Sequence, residues 1–162
     1  MADPIAEPGT GRRAADAATE FDRALTALQA VAADLADRAD RARGEAKGVL
    51  DAQSMMAQDP ALIDDVHSRI STGRTAERAV FEAFNGFQQM LITMGGNLAE
   101  RAADLGDVSQ RTIAQLQGVA APGVPEVDHP FVLVAHDLAP ADTASLDLAN
   151  VLGLITIGGG PT

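Results

Sequence analysis

The apolar positions of the chain change their rhythm twice, and the changes divide it. Phe21, Leu25, Leu28, Ala32, Leu35, Ala39 and Ala42 recur at alternating steps of four and three, the spacing of a narrow helical seam. Asp22, Arg23, Asp34, Asp37, Arg38 and Arg41 fill the gaps between them. Gly44 and Gly48 predict a bend or break after this helix. A second helical stretch runs from about Glu45 to Gln58. Asp59-Pro60 then reads as a stop and restart, because proline is poor inside a helix and suited to its first turn. ALIDDVHSRI carries the next helix to Gly73, a C-terminal cap. Thr75 opens another, with Val80, Phe84, Phe87, Leu91 and Met94 on one face, and Gly95-Gly96 closes it. Asn97 followed by Glu100 predicts a capping box for the last long helix. Its apolar face is Leu98, Ala102, Leu105, Val108 and Leu116, and its end is Gly118.

The rhythm is lost in AAPGVPEVDHP, a linker by its prolines and glycine. FVLVA, residues 131–135, is wholly apolar and rich in β-branched residues, as expected of a strand buried on both faces in a parallel sheet. Pro140 opens a short helix through Leu146, and Val151 to Ile157 is a second strand. The connection is long enough for a parallel crossover. The expected organisation is a flexible tail over 1–15, a helical unit over 16–118, a linker over 119–130 and a partial α/β unit over 131–162. The fold class is mainly α: a four-helix-type bundle of long antiparallel helices followed by an incomplete α/β unit.

Composition sharpens this picture. Apolar residues make up 46% but aromatics only 3%, with neither Trp nor Tyr, so alanine carries much of the core and the helices should pack closely. A balance of 12 basic against 23 acidic residues gives a net charge of -11, which argues against nucleic acid or an anionic membrane and suits a basic protein partner. The absence of cysteine excludes disulfides, thiolate metal sites and thiol nucleophiles, and fits a cytoplasmic setting. No apolar run reaches the ~20 residues that span a bilayer. His67, His129 and His136 lie in no metal-ligand spacing, so no metal is expected in the chain. GGGPT at the end lacks the lysine of a phosphate-binding loop.

Four ordered segments, VLDAQSMMAQDPALIDDVHSRI, NLAERAADLGDVSQRTIAQLQG, FVLVAHDLAPADTASLD and VLGLITIGGGPT, together resemble the N-terminal half of the enzyme I family. These are the phosphoenolpyruvate–protein phosphotransferases of the bacterial sugar phosphotransferase system. The resemblance covers roughly Gly44 to Thr162, with a looser helical match from Phe21. It implies that the helical part docks HPr, a small histidine-containing phosphocarrier, through Asp51, Met55, Met56, Asp59 and Leu62, with Asp64 and Asp65 adding charge. Arg101 matches the arginine of the family's E-R-A-A-D helix, near the transfer path. Methionine is adaptable and suits a surface that binds and releases, and acidic neighbours would steer a basic carrier.

The α/β part is by the same resemblance a swivelling phosphohistidine unit. Gly159, Gly160 and Thr162 would form the phosphohistidine loop, and the active-site histidine is expected just beyond Thr162. The chain thus reads as a shortened piece, monomeric and unable to autophosphorylate alone, and the Mg²⁺ implied for the full-length protein falls to its C-terminal part. Gln53 stands where many relatives carry His, Ala139 where many carry Thr, and Ile157 where many carry Asp. Two rival readings remain: the enzyme I-like module of a phosphoryl donor to dihydroxyacetone kinase, and a non-catalytic helical adaptor.

Overall fold

A computed structural model of the chain describes residues 4–13, 15–121, 124, 129–135, 146 and 150–157. Five helices come first: α1 (Ala17–Arg41), α2 (Glu45–Met56), α3 (Pro60–Ser71), α4 (Ala76–Met94) and α5 (Asn97–Gln117). Two strands follow, β1 (Phe131–Ala135) and β2 (Val151–Thr156). The mainly α class with a small parallel sheet is as the pattern implies.

Asp16 starts α1. Its carboxylate accepts from the Thr19 amide at 2.9 Å and the Thr19 hydroxyl at 2.8 Å. The amide bond, then the hydroxyl, hold the carboxyl below the ordinary aspartate range. The buried stripe of α1 is broader than the seam the spacing predicts. Ala24, Ala27 and Val31 are buried beside Leu28, Ala32, Leu35 and Ala39, whereas Leu25 is only half-buried. The reason is that α1 packs on all four other helices instead of on one partner. Alanine on the added positions lets these neighbours approach.

The break at Gly44 is real. Ala42 ends α1 in an extended conformation, and Gly44 enters α2 at φ 64°, while Gly48 stays inside α2. Asp59 then caps α3, accepting from the amides of Ala61 at 2.8 Å and Leu62 at 3.3 Å, with Pro60 in the first turn. The capping box expected at Asn97 is not formed as such. Gly96 takes the cap position, without a side-chain bond, and Asn97 is the first helical residue. The cause lies in the turn, where Gly95 and Gly96 both adopt positive φ, at 71° and 62°. Side chains with a Cβ rarely take that conformation. The side chains of Asn97 and Glu100 lie outside the described residues.

Residues 4–13, expected to be loose, are tied to the bundle. The Ile5 amide donates to Gln110 Oε1 at 2.6 Å and Ile5 packs against the core. Glu7 pairs with Arg78 at 2.6 Å. Arg12 bridges Arg74, and Arg13 donates from its amide to the Gly73 carbonyl and from its side chain to that of Ile70. Composition hid this because the attachments are main-chain and ionic, with only Ile5 as an apolar anchor.

The strands pair in parallel, Val132 opposite Gly153 through Ala135 opposite Thr156, with a register shift after Phe131. The expectation of burial on both faces is corrected. In β1 only Leu133 and Ala135 are buried; Val132 and Val134 are exposed, as are Leu152, Leu154 and Ile155 of β2. The exposed β2 side chains fall on both faces, because Leu154 lies opposite Leu133 and Ile155 opposite Val134. The short helix expected over Pro140–Leu146 lies outside the described residues apart from Leu146.

Candidate functional site

The inward face of α2 is set by Leu50, Gln53, Ser54 and Ala57, spaced three, one and three apart and all buried. Ser54 Oγ ties this face to α1 by donating to the Ala32 carbonyl at 2.8 Å. Rotating away from that face by helical geometry, Asp51 and Met55 fall one turn apart on the outer side. Met55 is 65% exposed, and Met56 is half-buried against the core. The bend that follows is closed by local bonds: the amides of Ala57, Gln58 and Asp59 donate to the carbonyls of Gln53, Met55 and Met56.

Two expectations change here. Leu62 is only 3% exposed and belongs to the main core, so it supports the bend from beneath and offers no surface. The cause is its place in the first turn of α3, in step with buried Val66 and Ile70. The acidic rim is also partly neutralised. Asp51 lies 3.4 Å from Lys47, which also reaches Asp40 at 3.5 Å, and Asp65 pairs with Arg69 at 3.1 Å. Asp59 and Asp64 remain exposed.

Arg101 is exposed on α5, one turn before Asp104. Asp104 Oδ1 accepts a 3.1 Å hydrogen bond from Gln53 Nε2, so this bridge brings the α2–α3 bend and the first turns of α5 together. The α3–α4 pair points the same way. Arg69 and Arg74 both reach Glu82 across its turn, so the antiparallel course carries the start of α3 level with the last turns of α4. The α2–α3 bend, where Ser54 meets Ala32 partway along α1, therefore lies on the same half of the bundle as the α4–α5 tip.

That end exposes more apolar surface than the sequence suggested. Met90 and Met94, one turn apart on α4, are 51% and 64% exposed, and Leu98 on α5 is also exposed. Met94 and Leu98 were expected on buried faces. The helical spacing is right, but α4 and α5 run past the core at their tip. The signal available in the sequence was the pair of glycines, which marks a hairpin tip where burial must fade. Gly159, Gly160, Thr162, His136 and Ala139 lie outside the described residues, and Ile157 is exposed. His67 is exposed and makes an edge contact with Phe21.

The opposite end is held by charge. Glu82 accepts from Arg78 at 2.6 Å and from Arg69 and Arg74 at 3.1 Å each. Burial pushes the Glu82 carboxyl up, but the three guanidinium hydrogen bonds outweigh it and hold the group below its ordinary value. The same bond to Glu82, then that to Glu7, raises the Arg78 guanidinium. Nearby, buried Glu20 accepts from the Ala76 amide at 2.7 Å, capping α4 from another helix, and pairs with Arg23. Among the described residues no cluster of three or more His, Asp or Glu fits a metal ion, and no helix is long and apolar enough to cross a membrane.

Residues 4–101 match the family model for the N-terminal region of PEP-utilising enzymes. The chain is 56% identical over 149 residues to the phosphoenolpyruvate-protein phosphotransferase of Streptomyces coelicolor, covering 92% of this chain and 27% of that protein. It is 38% identical over 118 residues to the protein of the same name from Haloferax volcanii, covering 73% of this chain and 21% of the other. The chain thus spans about a quarter of the length of these relatives. Among solved structures, the NMR structure of an enzyme I protein superposes with a TM-score of 0.76 at 28% identity, over 92% of this chain and 64% of that one. The N-terminal domain of a nitrogen-type enzyme 1 gives 0.73 at 26% identity, over 95% and 64%.

Proposed function

The chain belongs to the family of the N-terminal region of phosphoenolpyruvate-utilising enzymes, and from that premise we propose that its helical unit docks a basic, HPr-type phosphocarrier at the methionine-tipped end of the bundle. The observation that carries the reading is the exposure of Met55 at 65% and Met94 at 64% on the same half of the bundle, in a chain with net charge -11. Exposed, unbranched thioether side chains adapt to a partner and release it again. Asp51, Asp59 and Asp64 border the bend and would raise the rate of encounter with a positive face. Met56 backs the patch and Leu62 supports it from the core. Arg101, with no bonded partner among the described residues, is free to meet a phosphoryl group or an acidic rim on the carrier.

In the whole protein this docking serves phosphoryl transfer from phosphoenolpyruvate through a histidine to the carrier, during sugar uptake in the cytoplasm. Gly159, Gly160 and Thr162 would border that histidine. The Mg²⁺ implied for that protein finds no fitting donor set among the described residues.

The test is a titration of an HPr-type carrier into isotope-labelled chain, followed by NMR. Shifts should centre on Met55, Met90, Met94, Leu98 and Arg101 and weaken with added salt. A spectrum unchanged at millimolar carrier would overturn docking and favour an adaptor role.

A further inference from the structure

We infer that Gln53 is a positioning residue of the docking end, a buried amide that clamps α2 to α5 and so sets Met55 and Arg101 in register. The inference deepens the docking reading and rests on it for its binding arm. Gln53 is fully buried, in a position where an apolar side chain would complete the α2 face begun by Leu50 and Ala57. Its Nε2 donates to Asp104 Oδ1, but its Oε1 is buried with no hydrogen-bond partner among the described residues. A buried amide with one end unmet is a poor device for stability, since a well-packed apolar group of similar shape would serve as well or better. It is a good device for direction. A dispersion contact lets two helices slide, whereas a donor aimed at one carboxylate oxygen fixes rotation and height together. The bridge is also well sited. Gln53 lies two residues before Met55, and Asp104 lies one turn after Arg101, so each partner of the bridge controls one exposed element of the site.

The test uses the full chain with Gln53→Leu and Gln53→His. Gln53→Leu removes the aimed donor and the unmet acceptor together, so the melting temperature should stay within about 3 °C of the native value. Its affinity for an HPr-type carrier should nevertheless fall about five- to tenfold, and its loss should not add to that of Arg101→Ala, because both act through one register. Gln53→His keeps a ring N–H able to reach Asp104 and should recover most of the affinity. A third readout needs no carrier: amide hydrogen exchange over Ser54–Asp59 should speed up about tenfold in Gln53→Leu and return towards native in Gln53→His. Native affinity with unchanged exchange in Gln53→Leu overturns the clamp. So does a parallel loss of melting temperature and affinity that histidine does not recover, since that is the mark of a merely structural residue. If Gln53→Leu does not fold, exchange and affinity in Gln53→His decide alone, and values far from native overturn it. Should the native chain bind no carrier, the docking reading falls and the exchange measurement still decides the clamp.

Discussion

The two ends of the helical bundle are built on opposite terms. At the end where α3 turns into α4, cations and anions satisfy each other. Arg69, Arg74 and Arg78 converge on Glu82, Glu7 extends the group from the N-terminal segment, and Glu20 caps α4 while holding Arg23. At the other end, α5 starts on a glycine with no side-chain cap, and methionines stand in solvent. The contrast shows where an acidic chain spends its few cations. The 12 basic residues are shared between the ends: Arg38, Arg41, Arg43 and Lys47 stand where α1 passes into α2, but Arg38 pairs with Asp34 and Lys47 with Asp40 and Asp51, and among the described residues no ion pair reaches the exposed Asp59 or Asp64. The difference between the ends lies in how the charges are paired: one gathers three arginines on a single carboxylate, and the other keeps local pairs beside exposed methionines.

The sharpest challenge to the comparison is Leu62, which lies at the open end by sequence but in the core by burial. Leu62→Ala should lower the unfolding free energy by about 2–4 kcal/mol in a urea titration, the range for a buried leucine whose site collapses only partly. A loss below about 0.5 kcal/mol would return Leu62 to the surface and extend the soft end inward.

Next in size is the charged end. Glu82→Gln removes the charge that three guanidinium groups share, and should cost about 2 kcal/mol by chemical denaturation. The same group predicts a pH dependence. Its folded pKa lies below the unfolded one, so its contribution is fully present above the ordinary glutamate value of about 4.3 and is lost as pH falls through the depressed folded value. The native chain should therefore lose stability on acidification more steeply than Glu82→Gln. Parallel acid profiles for the two would show that the network is ornamental and the two ends equivalent.

Much of this was legible in the sequence, and the gaps have physical causes. The helix order, the break at Gly44, the restart at Asp59-Pro60 and the parallel pairing of the strands follow from periodicity and punctuation, which are local properties. The docking of residues 4–13 was not legible, because its partners Gln110, Arg78 and Gly73 are distant in sequence. Nor was the breadth of the α1 stripe, since alanine reads as neutral until four neighbours converge on it. At the site, Met55 could be singled out from its segment, but Leu62 and Met94 could not be placed. Spacing tells which face a residue takes and not how far along the helix the core extends. Gln53 carried no sign of its bridge to Asp104, a contact that exists only once α2 lies on α5.

The smallest effect on stability tests the open end most directly. Met55 and Met56 are neighbours of the same type, so replacing each by serine removes similar chemistry from different depths. Met55 is largely in water already, so Met55→Ser should shift the unfolding free energy by no more than about 0.5 kcal/mol. Met56 packs partly on the core and Met56→Ser should cost about 1–2 kcal/mol. For carrier binding the order should reverse, with Met55→Ser weakening affinity about tenfold and Met56→Ser less, because only the exposed thioether can be covered by the partner. If the two serine variants ranked the same way in both measurements, exposure would not be what distinguishes this end of the bundle. The methionines would then be ordinary periphery of the core, and the attraction of a basic carrier would have to rest on charge alone.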